Sequence, residues 1–444
     1  MNMTEGNIKK IFIRFALPII LSLVSQQLYN VIDMIIVGKF LGVKELAAVG
    51  NAGTIVTVLI TLSGGLEMGC EVLFAKYIGS KKNKDIIVGV KSILFFGLIS
   101  GIVITLLGML LKAPILTWIK VPEELITQTG VYYSTYLAGI TCIFLYDISR
   151  AILIALGNAK VNMILVIATS LLNVILDLFF ICVLKMGVGG AALATVLSQI
   201  AGMVITLLLL RKRIYPYSIE YPHSRIQLKK VKEVLTISLP TIFQQFLLSV
   251  SSMLLVALVN PYGSDVISGF ITANKIMLFG MLAIIGISQT LSVFTASNYG
   301  AENYSRIKIG YQLCMKFASF FIIIIVGVNF IFPGYLIGAF LDSKVNVKAY
   351  EFARSYLWFS SLTYFFTGWK IVNESIFRGY LRMKEYLISN LSDLLGKVLF
   401  TYSSVWLFSY QGFWIGGMLG KMISFAISMF IIKKSGMLGV KESR

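Results

Sequence analysis

The chain has 444 residues, of which 57% are hydrophobic and only 13% charged, with a mean hydropathy of +0.85. That charged share is about half the usual one, which excludes a water-soluble globule, and the long uninterrupted apolar runs exclude a disordered or collagen-like chain. The formal charge of +19 would suggest nucleic acid in a soluble protein, but here Lys and Arg sit mainly at the ends of apolar runs, as topology signals and contacts to the lipid bilayer; no nucleic-acid partner is expected.

Taken in chain order, the short polar N-terminus carries Lys9 and Lys10 ahead of an apolar run too long for a signal-peptide core and without a small-residue cleavage site, so it reads as an uncleaved first helix. Apolar segments then run over residues 11–37, 46–76, 86–111, 131–156, 161–184 and 189–210. A polar stretch follows, with Arg211, Lys212, Arg213, Arg225, Lys229, Lys230 and Lys232. A second set of apolar segments occupies 234–259, 266–297, 310–338, 350–377, 386–409 and 413–432. Each segment is near the roughly 20 residues that cross a bilayer as a helix. The expected organisation is an N-lobe over 1–210, a cytoplasmic linker over 211–233 and a C-lobe over 234–444.

Alternate connections collect most of the positive charge on one side, including Lys81, Lys82, Lys84, Lys160, the linker cluster, Arg306, Lys308, Arg382, Lys384, Lys433 and Lys434. Both termini are therefore expected in the cytoplasm, which an even helix count allows. The halves also resemble each other at an offset of 221 or 222 residues. Phe15-Ala-Leu-Pro18 meets Ile237-Ser-Leu-Pro240, LAAVGNA from Leu46 meets ISGFITA from Ile267, and KYIGSKKN from Lys76 meets SNYGAENY from Ser297. Six spans per half put both copies into the membrane the same way up. The fold class is thus an all-α polytopic membrane protein of twelve transmembrane helices in two six-helix lobes related by a parallel internal repeat.

An ionisable residue deep in a bilayer costs about 2.5–3.5 kcal/mol on insertion scales, so each one kept there is a functional candidate. Asp33 follows Tyr29 and Asn30 by four and three residues, on a common helix face, and Asn173 and Asp177 are likewise four apart. Thr195 stands among small residues that let helices approach closely. Two carboxylates in a low-dielectric bundle cannot both stay ionised and unpaired; they share a proton or hold a cation. Oxygen ligands from Asp, Asn and Thr suit a proton or Na+ rather than a transition metal. The plainer reading is a structural hydrogen bond inside the bundle.

Glu67 and Glu71, one turn apart, either line the same water-filled cavity or lie on an exposed face near a helix end with Lys76 as a partner. Lys370, Asn373 and Glu374 cluster at i, i+3, i+4 spacing, as a coupling group or as a purely structural pair. Lys397, and Asp147 with Arg150, favour snorkelling or pairing over chemistry. Gly97–Gly101 and Gly416–Gly420 form GxxxG patterns, and Pro18 and Pro240 sit inside the opening helix of each half. The four cysteines lie in or beside apolar runs without a CxxC pair, and the single histidine, His223, falls in the polar stretch. No disulfide, zinc site, Ser-His-Asp triad or organic cofactor is expected.

Several segments together resemble the multidrug and toxic compound extrusion (MATE) family of cation-coupled antiporters: LPIILSLVSQQLYNVIDMIIVGKFLG from Leu17, GNAK from Gly157, LLNVILDL from Leu171, GVGGAALATVLSQ from Gly187 and SNYGAEN from Ser297. The resemblance spans almost the whole chain. It implies two six-helix lobes around a central cavity that opens to alternate sides, with Asp33, Asn173, Asp177 and Thr195 at the N-lobe cation site and Tyr29 and Asn30 beside it. Leu248 and Thr367 stand where one branch of the family has a second acidic site.

The expected function is therefore secondary active export of organic compounds, cationic and of several kinds, in exchange for H+ or Na+. The expected carrier is a monomer in the plasma (inner) membrane, and it is not an enzyme. The alternative is a flippase for a lipid-linked saccharide or related amphiphile. Such proteins present cationic residues to a pyrophosphate, and the acidic first half argues against that.

Overall fold

The computed structural model describes residues 2–341 and 347–438, so residues 342–346 and 439–444 of the expected C-lobe lie outside the described residues. The first half folds into α1 (Ile8–Phe40), α2 (Val43–Gly79), α3 (Asn83–Leu110), the short α4 (Lys112–Trp118), α5 (Glu123–Ala138), α6 (Ile140–Ala155), α7 (Ala159–Leu178) and α8 (Gly187–Glu220). The second half folds into α9 (Leu228–Val259), α10 (Ser264–Gly300), α11 (Tyr304–Ile331), the short α12 (Pro333–Gly338), α13 (Val347–Ser360), α14 (Thr363–Gly379), α15 (Met383–Phe408) and α16 (Gly412–Ser435). The described residues contain no strand. A helix satisfies its own backbone hydrogen bonds, the condition for crossing hydrocarbon.

Among the described residues, nine helices are long and apolar enough to span a bilayer alone, and α5 with α6 forms a tenth span bent by 48°. The remaining two spans are α13 with α14, and α15. They are less apolar because they carry Lys370, Glu374, Asp393 and Lys397. The twelve-helix layout expected from hydropathy is therefore the one observed, with two spans broken near their middle. Of the polar stretch 211–233, residues 211–220 continue α8 and 228–233 open α9.

The chain packs as two compact units. The first holds residues 21–242; the second holds residues 2–20 and the described residues from 243 onward. The change of unit falls two residues after Pro18 in α1 and two after Pro240 in α9, positions 222 residues apart in each case (18 to 240, 20 to 242). The repeat shows again at Gly42 and Gly263, which precede α2 and α10 with φ of 103° and 90°. A residue with a Cβ is strained there, so glycine sets both turns.

In the first unit, Tyr132, Tyr133, Tyr136, Leu137 and Phe144 of α5 and α6 pack with Val56, Leu59 and Leu66 of α2 and Ala191 and Ala192 of α8. The segment after α8 is fastened to α3: Lys91 Nζ donates to Ser224 Oγ at 2.7 Å, the Gln227 amide donates to Ser92 Oγ at 2.9 Å, and Lys230 pairs with Asp85 at 2.9 Å. In the second unit, Phe270, Phe352, Phe413 and Trp414 form a core, with Phe359 stacked on Trp414 at 4.9 Å. Lipid gives helices no hydrophobic reason to associate, so close packing does that work. Both GxxxG pairs lie at helix contacts. A methyl added at Gly101 would lie 2.6 Å from Thr141 Cα, and one at Gly420 would lie 2.5 Å from the Lys397 backbone nitrogen.

Candidate functional site

Helices α1, α7 and α8 bring four of the sequence candidates together in the first unit. Asp33 and Asp177 are neighbours close enough to act on each other, and Asn173 lies between Asp177 and Thr195. As the structure places it, the Asn173 amide nitrogen donates to the Thr195 hydroxyl at 3.3 Å; turned over, its nitrogen would donate to Asp177 Oδ2 at 2.9 Å and its oxygen would accept from the Thr195 backbone N–H at 3.1 Å. Unturned, the amide oxygen faces the Asp177 carboxylate, two acceptors with no hydrogen between them. Asp33 Oδ1 and Asp177 Oδ1 are both buried without a hydrogen-bond donor. Buried acceptors of this kind are normally satisfied, which makes the pair a candidate for receiving a proton or a cation.

Helix geometry explains the convergence. Asp33 is seven residues from the end of α1 and Thr195 eight from the start of α8, which places both about 10–12 Å inside those helix ends. Asn173 and Asp177, one turn apart on α7, then face the same level. Gly190, Ala191, Ala192 and Ala194 keep α8 slim there and are all buried. Tyr29 and Thr195 line the same cavity.

Beside this group lies a cavity of about 130 Å³, lined among others by Gln26, Tyr29, Asn30, Tyr136, Asp147, Arg150, Asn173 and Thr195. Pockets that enclose a drug-sized molecule run to about 300–1,000 Å³, so this one has the size for waters or an ion rather than for a drug-sized molecule. Asn30 is exposed and takes part through this cavity wall.

Glu67 is not on an exposed face near a helix end. It pairs with Arg150 at 2.8 Å, and Arg150 also meets Asp147 at 3.3 Å, while the Ser63 hydroxyl donates to Asp147 at 2.6 Å. Glu71 is fully buried, so it too is off any exposed face. The second candidate cluster lies in the other unit. Lys370 pairs with Glu374 at 2.6 Å and with Asp393 at 3.5 Å, and Lys421 pairs with Asp393 at 2.7 Å. Asn373 accepts from the Tyr311 hydroxyl at 2.8 Å and donates to Ser428 at 2.8 Å, so it ties α14 to α11 and α16.

Sequence reasoning missed four residues. Tyr132 and Tyr136 of α5 stack at 6.5 Å, and Tyr132 lies close enough to Asp33 and Asp177 to feel their charge; nothing in their local pattern sets them apart from other core aromatics. Asp393 and Lys421 were signalled by the rule already applied to Asp33, an ionisable residue inside an apolar run.

The chain matches the MatE family over residues 18–179 and again over 240–403. The two matches begin at Pro18 and Pro240, the same 222-residue offset at which the units change. The probable multidrug resistance protein YpnP of Bacillus subtilis (strain 168) is 27% identical over 396 residues, covering 87% of this chain and 86% of its own length. YoeA of the same organism, also named a probable multidrug resistance protein, is 28% identical over 302 residues, 66% of this chain and 65% of its own. A solved structure described as the outward-facing conformation of a multidrug resistance MATE family transporter of the MOP superfamily has a TM-score of 0.92 and 25% identity, covering 99% of this chain and 98% of that one.

Proposed function

Because the chain belongs to the MatE family, whose members are transporters rather than enzymes, we propose that it exports organic compounds, cationic and of several kinds, in exchange for an ion bound at Asp33 and Asp177. The observation that carries this reading is the pair of buried carboxyls within reach of each other, backed by Asn173 and Thr195 and opening beside an ion-sized cavity.

The exchanged ion is read as a proton. Two neighbouring buried carboxyls cannot both stay charged and unpaired, and with the Asn173 amide turned so that its oxygen accepts from the Thr195 N–H, a proton shared between them completes the group. Na+ would instead take that oxygen as a ligand, because a hard cation collects as many oxygens as it can reach. Na+ binding therefore goes with the amide oxygen turned toward the carboxylates, and a shared proton with the nitrogen turned there. Coupling requires the proton and the organic substrate to favour different conformations, since a ligand of equal affinity for both states shifts neither. The two halves, 1–210 and 234–444, are read as the lobes that exchange between those states, joined by 211–233.

In this reading Arg150 holds Glu67 and Asp147 as a fixed wall of the cavity, and Glu71 stands behind it. Lys370 and Glu374 are a structural pair, with Asn373 as a tie between helices. The protein is read as a monomeric multi-pass carrier of the plasma (inner) membrane with both termini in the cytoplasm. The test is efflux of ethidium from proteoliposomes under separately imposed pH and Na+ gradients. A pH gradient alone drives it; a response to Na+ alone would assign the site to sodium, and a response to neither would remove the antiport reading.

A further inference from the structure

The charge of the second unit runs opposite to that of the first. Around Asp393, at the depth of the bilayer, stand Lys370, Lys397 and Lys421 against Glu374 and Asp393, one more cation than anion. Asp393 lies ten residues into α15 and Lys397 fourteen, or roughly 15 and 21 Å along the helix axis, near the middle of a hydrocarbon core about 30 Å thick.

The pairing inside this cluster is uneven. Lys370, Glu374 and Asp393 are buried, at 3%, 4% and 4% exposure. Asp393 Oδ2 serves both Lys370 and Lys421, and Ser389 donates to Glu374 at 3.0 Å. Lys397 follows Asp393 by one turn, yet among the described residues it forms no ion pair, although Asp393 Oδ1 is left without a donor. Lys397 and Lys421 are the partly exposed members. The accessible side of the cluster is thus cationic, with its acids turned inward and engaged. An ammonium this deep without a paired counter-ion is costly, and an anion from outside the chain would offset that cost.

We propose that Lys397 and Lys421 bind the anionic group, a carboxylate or phosphate ester, of an amphiphilic transport substrate. The inference rests on the transporter reading and extends its substrate class from cations to amphiphiles that carry a negative group. A mid-bilayer position suits a molecule in transit better than a lipid headgroup, which rests at the interface.

The test uses the full-length protein in nanodiscs of neutral phosphatidylcholine and two dyes on one xanthene skeleton, anionic carboxyfluorescein and cationic rhodamine 6G. Carboxyfluorescein should bind the wild-type protein and be displaced by laurate and by dodecyl phosphate, but not by dodecyltrimethylammonium or by inorganic phosphate or chloride at the same concentration. Lys397→Gln should weaken carboxyfluorescein binding at least tenfold relative to rhodamine 6G. Should that variant fail to fold, the wild-type competition series decides alone. Equal displacement by inorganic phosphate or chloride would make this a simple ion site and overturn the proposal. Displacement by phosphatidylglycerol in the disc but not by laurate would assign it to a resident lipid, with the same effect. Absence of carboxyfluorescein binding while rhodamine 6G is still exported from proteoliposomes overturns the inference and spares the transporter reading. Lysine-dependent binding without gradient-driven export of either dye does the reverse.

Discussion

Replacing Arg150 by Met should destabilise the first unit far more than any surface ion-pair change. Arg150 sits 2.8 Å from Glu67 and 3.3 Å from Asp147, with side-chain exposures of 9%, 17% and 16%. At an effective dielectric of about 20, unit charges some 3 Å apart attract by roughly 5 kcal/mol. Taking away one partner of a buried pair typically costs about 3–5 kcal/mol, because the other charge is stranded. Here two carboxylates would be stranded together, with Glu71 nearby, so the upper part of that range is expected. Arg150→Met combined with Glu67→Gln removes one stranded charge and should recover about half of the loss. Lys44→Ala provides the contrast: its pair with Glu124, at 3.6 Å with exposures of 52% and 71%, belongs to the surface class worth about 0–1 kcal/mol. A denaturing-detergent titration of the three purified variants in micelles, beside the wild-type protein, measures these effects. If Arg150→Met were no worse than Lys44→Ala, or if the double variant were less stable than Arg150→Met, the idea of a pre-organised charged wall would be wrong.

Gly420→Ala should drive α15 and α16 apart, since a methyl at Gly420 meets the Lys397 backbone at 2.5 Å, whereas the methyl of Gly417→Ala meets nothing within 4 Å. Fluorescence-detected size-exclusion chromatography should show loss of the monodisperse peak for the first and not the second. Tyr311→Phe removes a buried donor from Asn373 and should lower stability by about 1–3 kcal/mol in the same titration, the usual penalty for stranding a buried acceptor.

The spans were legible because hydrocarbon demands a minimum apolar length, and each of the twelve expected segments coincides with a helix or a broken pair of helices. The breaks were less so. The bend at Gly139, where a methyl would strike Val196 at 2.5 Å, depends on a neighbour 57 positions away in sequence. The candidate ion pocket was half visible: i, i+4 spacing puts Tyr29 with Asp33 and Asn173 with Asp177 on single faces, but only packing brings α1 and α7 face to face. Local spacing could not pair Glu67 with Arg150, 83 residues apart, and so it left open an exposed face that burial excludes. It also could not show that Lys370 shares Asp393 with Lys421, because those groups lie on three different helices.

The dyad itself is tested most directly by proton stoichiometry. If Asp33 and Asp177 pass one proton per cycle, each unit of imposed pH gradient is worth about 1.4 kcal/mol, or a tenfold concentration ratio for a monovalent cation exchanged one for one. That exchange is electrically neutral, so a membrane potential should add nothing. Measured in proteoliposomes with ethidium, the wild-type protein should reach about a tenfold ratio per pH unit, and Asp33→Asn and Asp177→Asn should each reach a ratio of one while still binding the dye. A variant that keeps a pH-driven gradient would contradict the claim that these two carboxyls carry the coupling ion.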